Sequence, residues 1–236
     1  MMSGNGQKPG GREVRLPARC GFIYAHPDDE TFLSGALIRR LADEGGEPVL
    51  LLATRGDAGR KNGDYAHLSN EELGALRERE MERASSVLGL AAVEQLGYPD
   101  GRLKEADERE AVEAIVRFMN KHRLEAVFTF PEDGGNGHPD HVAISRLATM
   151  AVRTGRCPTV RALYYAAPDA SSAPIRIDAQ PYWPVKAEAL RAHESQKYAI
   201  ARYFGPLDAC PPNRRFECFV PAWEADRFID KTETLI

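Results

Sequence analysis

No two of the four cysteines stand in a CxxC spacing. Cys20, Cys157, Cys210 and Cys218 are scattered along the chain, which excludes a zinc finger or a small disulfide scaffold. They read as buried or incidental thiols in a reducing compartment. A basic stripe is also missing. Lys plus Arg number 31 against 35 Asp plus Glu, a formal net charge of −4, which argues against nucleic acid as the main partner. No apolar run approaches the roughly 20 residues that a membrane-spanning helix needs. The first 18 residues are polar and Gly-rich and lack the apolar stretch of a secretory leader. The expected organisation is a disordered lead over residues 1–18 and one domain over residues 19–236, with a cytoplasmic location. Composition leaves the oligomeric state open, a homo-oligomer included.

After the lead, short apolar runs alternate with helical periodicity. That pattern predicts an α/β fold with a mostly parallel sheet covered by helices. Strands are expected at Gly21–Ala25, Pro48–Thr54, Val93–Leu96, Ala126–Phe130 and Arg161–Ala166. Leu33, Leu37 and Leu41 recur at helical spacing, and Gly45 and Gly46 end that helix. Ser69 and Glu72 form a capping box that opens a helix running to about Leu88. Further helices are expected over Glu105–His122, Pro139–Arg153 and Val185 to about Ala199. The polar loop 56–70 is long enough to suggest a functional role. The proline-rich stretch 168–183 reads as a candidate substrate lid.

Two segments carry chemistry. Ala25-His26-Pro27-Asp28-Asp29-Glu30 follows the first strand directly. Pro27 drives His26 toward an extended backbone and suits the first position of a helix, placing Asp28 and Asp29 in the first helical turn. After the strand at Ala126–Phe130, a Gly-rich loop leads to His138-Pro139-Asp140-His141, with His138 and His141 three apart. Open α/β sheets bind ligands beyond the carboxyl ends of their strands. A catalytic zinc takes three protein ligands and keeps a position for water. His26, Asp29 and His141 offer two nitrogens and one oxygen for it. Asp28 lies beside a ligand and suits a general base. His138 suits an oxyanion donor, oriented by Asp140. A lone Asp-Asp at a helix start would only complement the helix dipole; two His-Pro-Asp boxes after two buried strands mean more.

These residues together resemble the LmbE-like, or PIG-L, family of zinc-dependent N-acetylglucosamine deacetylases. AHPDDE at 25–30 and GHPDH at 137–141 carry the resemblance. TRGDAG at 54–59, Arg77-x-x-Glu80, LG at 88–89, the PDG turn at 99–101 and ALRAHESQ at 189–196 support it in the same order. The resemblance implies a Rossmann-like three-layer fold and hydrolysis of an acetamide by zinc-bound water, giving a sugar amine and acetate. It implies His26, Asp29 and His141 as zinc ligands, Asp28 as base and His138 as the group that stabilises the intermediate or protonates the amine. Arg77, Asp100 and His193 become candidate substrate contacts. Asn136 joins them, standing where some family members carry an aromatic. Arg77 also lies on a stripe with Leu73, Glu80 and Ala84, so an ion pair with a carboxylate is an equal reading. The expected partner is a small N-acetylated molecule, a sugar conjugate by the resemblance. Alternatives stay open: an amidase of non-sugar or thiol-conjugate N-acyl substrates, a non-catalytic metal protein, or a non-haem iron enzyme, since two His and a carboxylate also hold Fe2+.

Overall fold

The computed structural model describes residues 16–61, 63–168 and 173–225. Most of the lead expected over 1–18 lies outside these; Leu16 packs against the core and the Ala18 carbonyl accepts from the Glu47 N–H.

Strands β1 (Cys20–Tyr24), β2 (Val49–Thr54), β3 (Ala92–Tyr98), β4 (Ala126–Thr129) and β5 (Ala162–Ala167) are joined through helices α1 (Asp29–Asp43), α2 (Asn70–Leu88), α3 (Glu108–Lys121) and α4 (Pro139–Arg153). All four pairings among β1 to β5 are parallel, in the order β3-β2-β1-β4-β5. Every residue of β1, β2 and β4 is buried, as expected of strands covered on both faces. Helices α1 and α2 pack with α5 (Trp183–Ala192), while α3 and α4 pack with each other. The result is an α/β, Rossmann-like three-layer fold.

Two strands extend the sheet beyond the sequence reading. β7 (Phe216–Glu224) runs antiparallel to β5, and β6 (Ile175–Asp178) lies on its far side. The register of β7 slips at Leu163/Tyr164, opposite Pro221. Proline has no N–H to give the ladder, so an interior strand carries it at an irregularity. Residues 175–178 of the expected lid are thus sheet; 169–172 lie outside the described residues.

The late helix also differs from expectation. α5 stops at Ala192, a short 3₁₀ turn covers Glu194–Gln196, and α6 (Lys197–Phe204) follows. The third helix begins at Glu108, capped by the Asp107 side chain, rather than at Glu105. The capping box of α2 is present in full, with the Ser69 side chain on the Glu72 N–H and Glu72 on the Ser69 N–H. A buried ion pair, Lys186 to Glu217 at 2.6 Å, ties α5 to β7. Glu217 also accepts from the N–H groups of Ala36 and Leu37, anchoring α1. No helix among the described residues is long and apolar enough to cross a membrane.

Strand order reverses between β1 and β4. β1 is followed in space by β2 on one side and β4 on the other, and the chain leaves these two strands toward opposite faces. Both His-Pro-Asp boxes emerge at this crevice.

Candidate active site

His26 leaves β1 and His141 sits in the first turn of α4. His26 Nδ1 and His141 Nε2 are 3.3 Å apart. Asp29 Oδ2 lies 3.5 Å from His26 Nδ1, and Asp29 Oδ1 lies 3.5 Å from His141 Nε2. Tetrahedral bonds of about 2.0–2.1 Å set neighbouring donors roughly 3.3–3.4 Å apart. The two ring nitrogens and the Asp29 carboxylate, which reaches one ring with each oxygen, thus face one another at spacings close to those of neighbouring ligands on a cation.

Each imidazole is turned toward that point by a bond at its other nitrogen. His141 Nδ1 donates to the Gly134 carbonyl at 3.2 Å, and Phe130 stacks on its ring at 3.9 Å between centroids. His26 Nε2 faces Asp100 at 3.1 Å and Asp140 at 3.2 Å. Such outer carboxylates orient a ligating histidine and raise its basicity. The charges agree with the geometry. Burial lowers the pKa of His141 against the pull of Asp29. Burial also works against charge on His26, but Asp100, Asp140 and Asp29 outweigh it and raise its pKa well above the ordinary value. Burial would raise Asp29, yet His141 and His26 hold it below the usual carboxylate range.

Among the described residues, two groupings have donor atoms within 4.8 Å of one another: His26 with His138 and His141, and His26 with Asp100 and Asp140, the second of which is built differently. Its carboxylates are already occupied. Asp140 accepts from the N–H groups of Gly101 and Leu103, and Asp100 from that of Ala58. They form the shell that holds His26, and this corrects two expectations. Asp140 is fully buried against His26 and the PDG turn, so it orients His26 and not His138. Asp100, expected at a sugar hydroxyl, is likewise turned onto His26.

Asp28 departs from its expected helical place. It is the N-cap of α1 with φ 115°, ψ −30°, a strained left-handed backbone for a residue other than glycine. Arg77 explains how this persists. Its guanidinium donates to the carbonyls of Pro27 and Gly56 and lies 3.4 Å from Asp28 Oδ2. Arg77 is 3 % exposed, so of its two readings the ion pair with a carboxylate holds here. Burial pushes the Asp28 carboxyl up to about 7, with Arg77 opposing and Asp29 adding.

His138 is the N-cap of α4. Its Nδ1 accepts from the Asp140 N–H at 3.2 Å, which leaves Nε2 as the nitrogen able to donate. Its ring centroid lies 4.8 Å from those of both His26 and His141. Asn136 is exposed and accepts from the His138 N–H at 3.0 Å, so it shapes the loop. His193, expected against substrate, is instead wholly buried on Glu30. Sequence reasoning left Glu30, Thr31, Phe130, Glu80 and Ser195 without roles. Glu30 lies in AHPDDE, Ser195 in ALRAHESQ and Glu80 on the stripe of Arg77, but none of these signals named a partner.

Residues 22–152 match the PIG-L family, described as GlcNAc-PI de-N-acetylase. A 1D-myo-inositol 2-acetamido-2-deoxy-alpha-D-glucopyranoside deacetylase from Kineococcus radiotolerans is 33 % identical over 227 residues, covering 81 % of this chain; the chain spans 60 % of that relative's length. The enzyme of the same name from Thermobifida fusca is 28 % identical, over 74 % of this chain and 82 % of its own. Among solved structures, an N,N'-diacetylchitobiose deacetylase from Pyrococcus horikoshii shares the fold, with a TM-score of 0.66 and 22 % identity over 86 % of this chain and 82 % of its own. With both boxes inside the matched region, the chain belongs to the PIG-L family.

Proposed function

We propose that this protein is a zinc-dependent hydrolase that removes the acetyl group from an N-acetylglucosamine-containing small molecule. The observation that carries the reading is the meeting of His26, His141 and the Asp29 carboxylate at 3.3 to 3.5 Å, with the half-buried Asp28 carboxylate beside them. A structural zinc site is usually closed by four protein ligands. Two nitrogens and one oxygen, with a carboxylate base at hand, suit hydrolysis.

His26, Asp29 and His141 would hold the zinc ion, which when bound supplies a Lewis acid and brings the pKa of water toward neutrality. Asp28 takes the proton of the attacking water; Arg77 keeps its carboxylate aimed and stabilises the ionised form. His138, with Nδ1 engaged by a backbone N–H, presents Nε2–H to the oxyanion that forms on the amide carbon. The proton that Asp28 takes from the water is the one that passes to the departing amine, which returns Asp28 to its carboxylate form. Asp100 and Asp140 fix the ring of His26 and touch no substrate.

The names of the relatives suggest the first compound to try, 1D-myo-inositol 2-acetamido-2-deoxy-alpha-D-glucopyranoside. Protein stripped of metal and reloaded with zinc should release acetate and a primary amine from it in equal amounts. Release from other N-acyl compounds but from no N-acetylglucosamine conjugate would overturn the substrate class.

A further inference from the structure

The strained base is gripped from a second side by groups with no assigned role. The Asp28 N–H donates to Glu30 Oε2 at 3.0 Å. Glu30 is wholly buried, and a buried carboxylate needs partners. Its Oε1 accepts from the Thr31 hydroxyl and from His193 Nε2, the latter at 3.1 Å. His193 itself is wholly buried, and its Nδ1 has no hydrogen-bond partner among the described residues. Leaving a buried polar atom unmatched costs its full desolvation. A side chain kept merely to fill the core would avoid that cost. What His193 contributes lies at its other nitrogen.

His193 reaches Glu30 because the late helix breaks there. It closes α5 with φ −82°, ψ 54° and opens the 3₁₀ turn that leads to α6. The break is pinned by α2. Glu80, 1 % exposed, accepts from the Ser195 N–H at 2.7 Å and from the Ser195 hydroxyl at 2.6 Å. Glu80 stands one turn after Arg77, so neighbouring positions of one helix serve two ends of the same device. Arg77 holds the carboxylate of Asp28, and Glu80 holds the turn that carries His193.

We infer that Glu30 and His193 form a positioning dyad that fixes the backbone of the base Asp28, and that the Glu80–Ser195 contact is the latch keeping His193 in place. The inference rests on the proposed role of Asp28 and deepens it. None of the four residues touches substrate. The base would therefore depend on a segment more than 160 residues away, and the hydrolytic site would be complete only when the α5–α6 corner is seated.

The test compares His193→Leu, His193→Gln and Ser195→Ala with the parent, each as the full zinc-loaded chain with metal content verified. Kinetics use the inositol glycoside named above, and amide hydrogen exchange is followed in the peptide that contains Asp28. A small misplacement of a catalytic group is worth up to about 100-fold in rate. The expected result for His193→Leu is a fall in kcat of roughly 30-fold with KM within about twofold, and faster exchange at Asp28. His193→Gln, which restores a donor to Glu30, should recover most of the kcat and the slow exchange. Ser195→Ala keeps the backbone bond to Glu80 and should show the same changes in weaker form, about threefold in kcat. It reports on the latch even where His193→Leu fails to fold. Parental kcat and parental exchange in His193→Leu would overturn the dyad, as would equal damage in the Leu and Gln variants with no change at Asp28. Unchanged kcat and exchange in Ser195→Ala would overturn the latch. A parent that releases no acetate would defeat the functional reading alone, because the exchange measurement decides the dyad without turnover.

Discussion

The tripeptide His-Pro-Asp occurs twice in this chain, at 26–28 and at 138–140, and folds in two ways. In the second box the helix begins at Pro139. His138 is the N-cap, its side chain accepts the Asp140 N–H, and Asp140 lies inside the first turn, wholly buried. In the first box the helix waits until Asp29. Asp28 becomes the cap, makes no side-chain capping bond and takes a positive φ. The difference lies in what surrounds each box. Asp140 meets two backbone N–H groups and an imidazole, a set that suits an ionised carboxylate in a relaxed helical turn. Asp28 meets the Arg77 guanidinium and is drawn out of the helix. Tertiary contacts thus give one local sequence two jobs. On the proposed roles, the half-buried Asp28 serves as the base, and Asp140 is spent on holding His26.

That division can be broken in steps of decreasing effect. Removing the ligand of the second box, His141→Ala, should leave the protein without bound zinc by atomic absorption and lower turnover by about a thousandfold or more. Asp28→Asn should lower kcat by about a thousandfold while zinc remains at one per chain, since only proton transfer is lost. Asp140→Asn should act through the metal: zinc affinity weakens by roughly 10- to 100-fold, and activity returns when zinc is raised. A control outside both boxes is Ser69→Ala at the cap of α2. It should cost about 1 kcal/mol in urea unfolding and leave kcat unchanged. A loss of turnover there would mean that α2 transmits disorder to Arg77 more readily than its packing suggests.

The parts of the structure that were legible in the sequence are those written locally. β1, β2 and β4 announce themselves as apolar runs because both faces are buried. The cap of α2 is visible because Ser69 and Glu72 complete it between themselves. The boxes are visible because a proline after a histidine fixes the backbone on either side. The rest depends on partners far away in sequence. The break at His193 is held by the bond from Ser195 to Glu80, 115 residues earlier, and nothing between Val185 and Ala199 announces it. The strain at Asp28 comes from Arg77, 49 positions later. β6 is four residues in a proline-rich stretch, and β7 hides its register behind Pro221. The aspartates at 100 and 140 were recognisable as site residues, but their partner was not. A carboxylate beside two histidines can serve either, and only the PDG turn, which feeds Gly101 and Leu103 N–H groups to Asp140, decides for His26.

The central claim is that the aspartates of the two boxes, Asp28 and Asp140, divide proton transfer and the support of a metal ligand between them. It is tested most directly by measuring zinc affinity for Asp28→Asn and Asp140→Asn side by side, in competition with a chromophoric chelator. The account predicts parental affinity for Asp28→Asn and affinity weakened by roughly 10- to 100-fold for Asp140→Asn. Equal affinities, or the weaker one in Asp28→Asn, would contradict it.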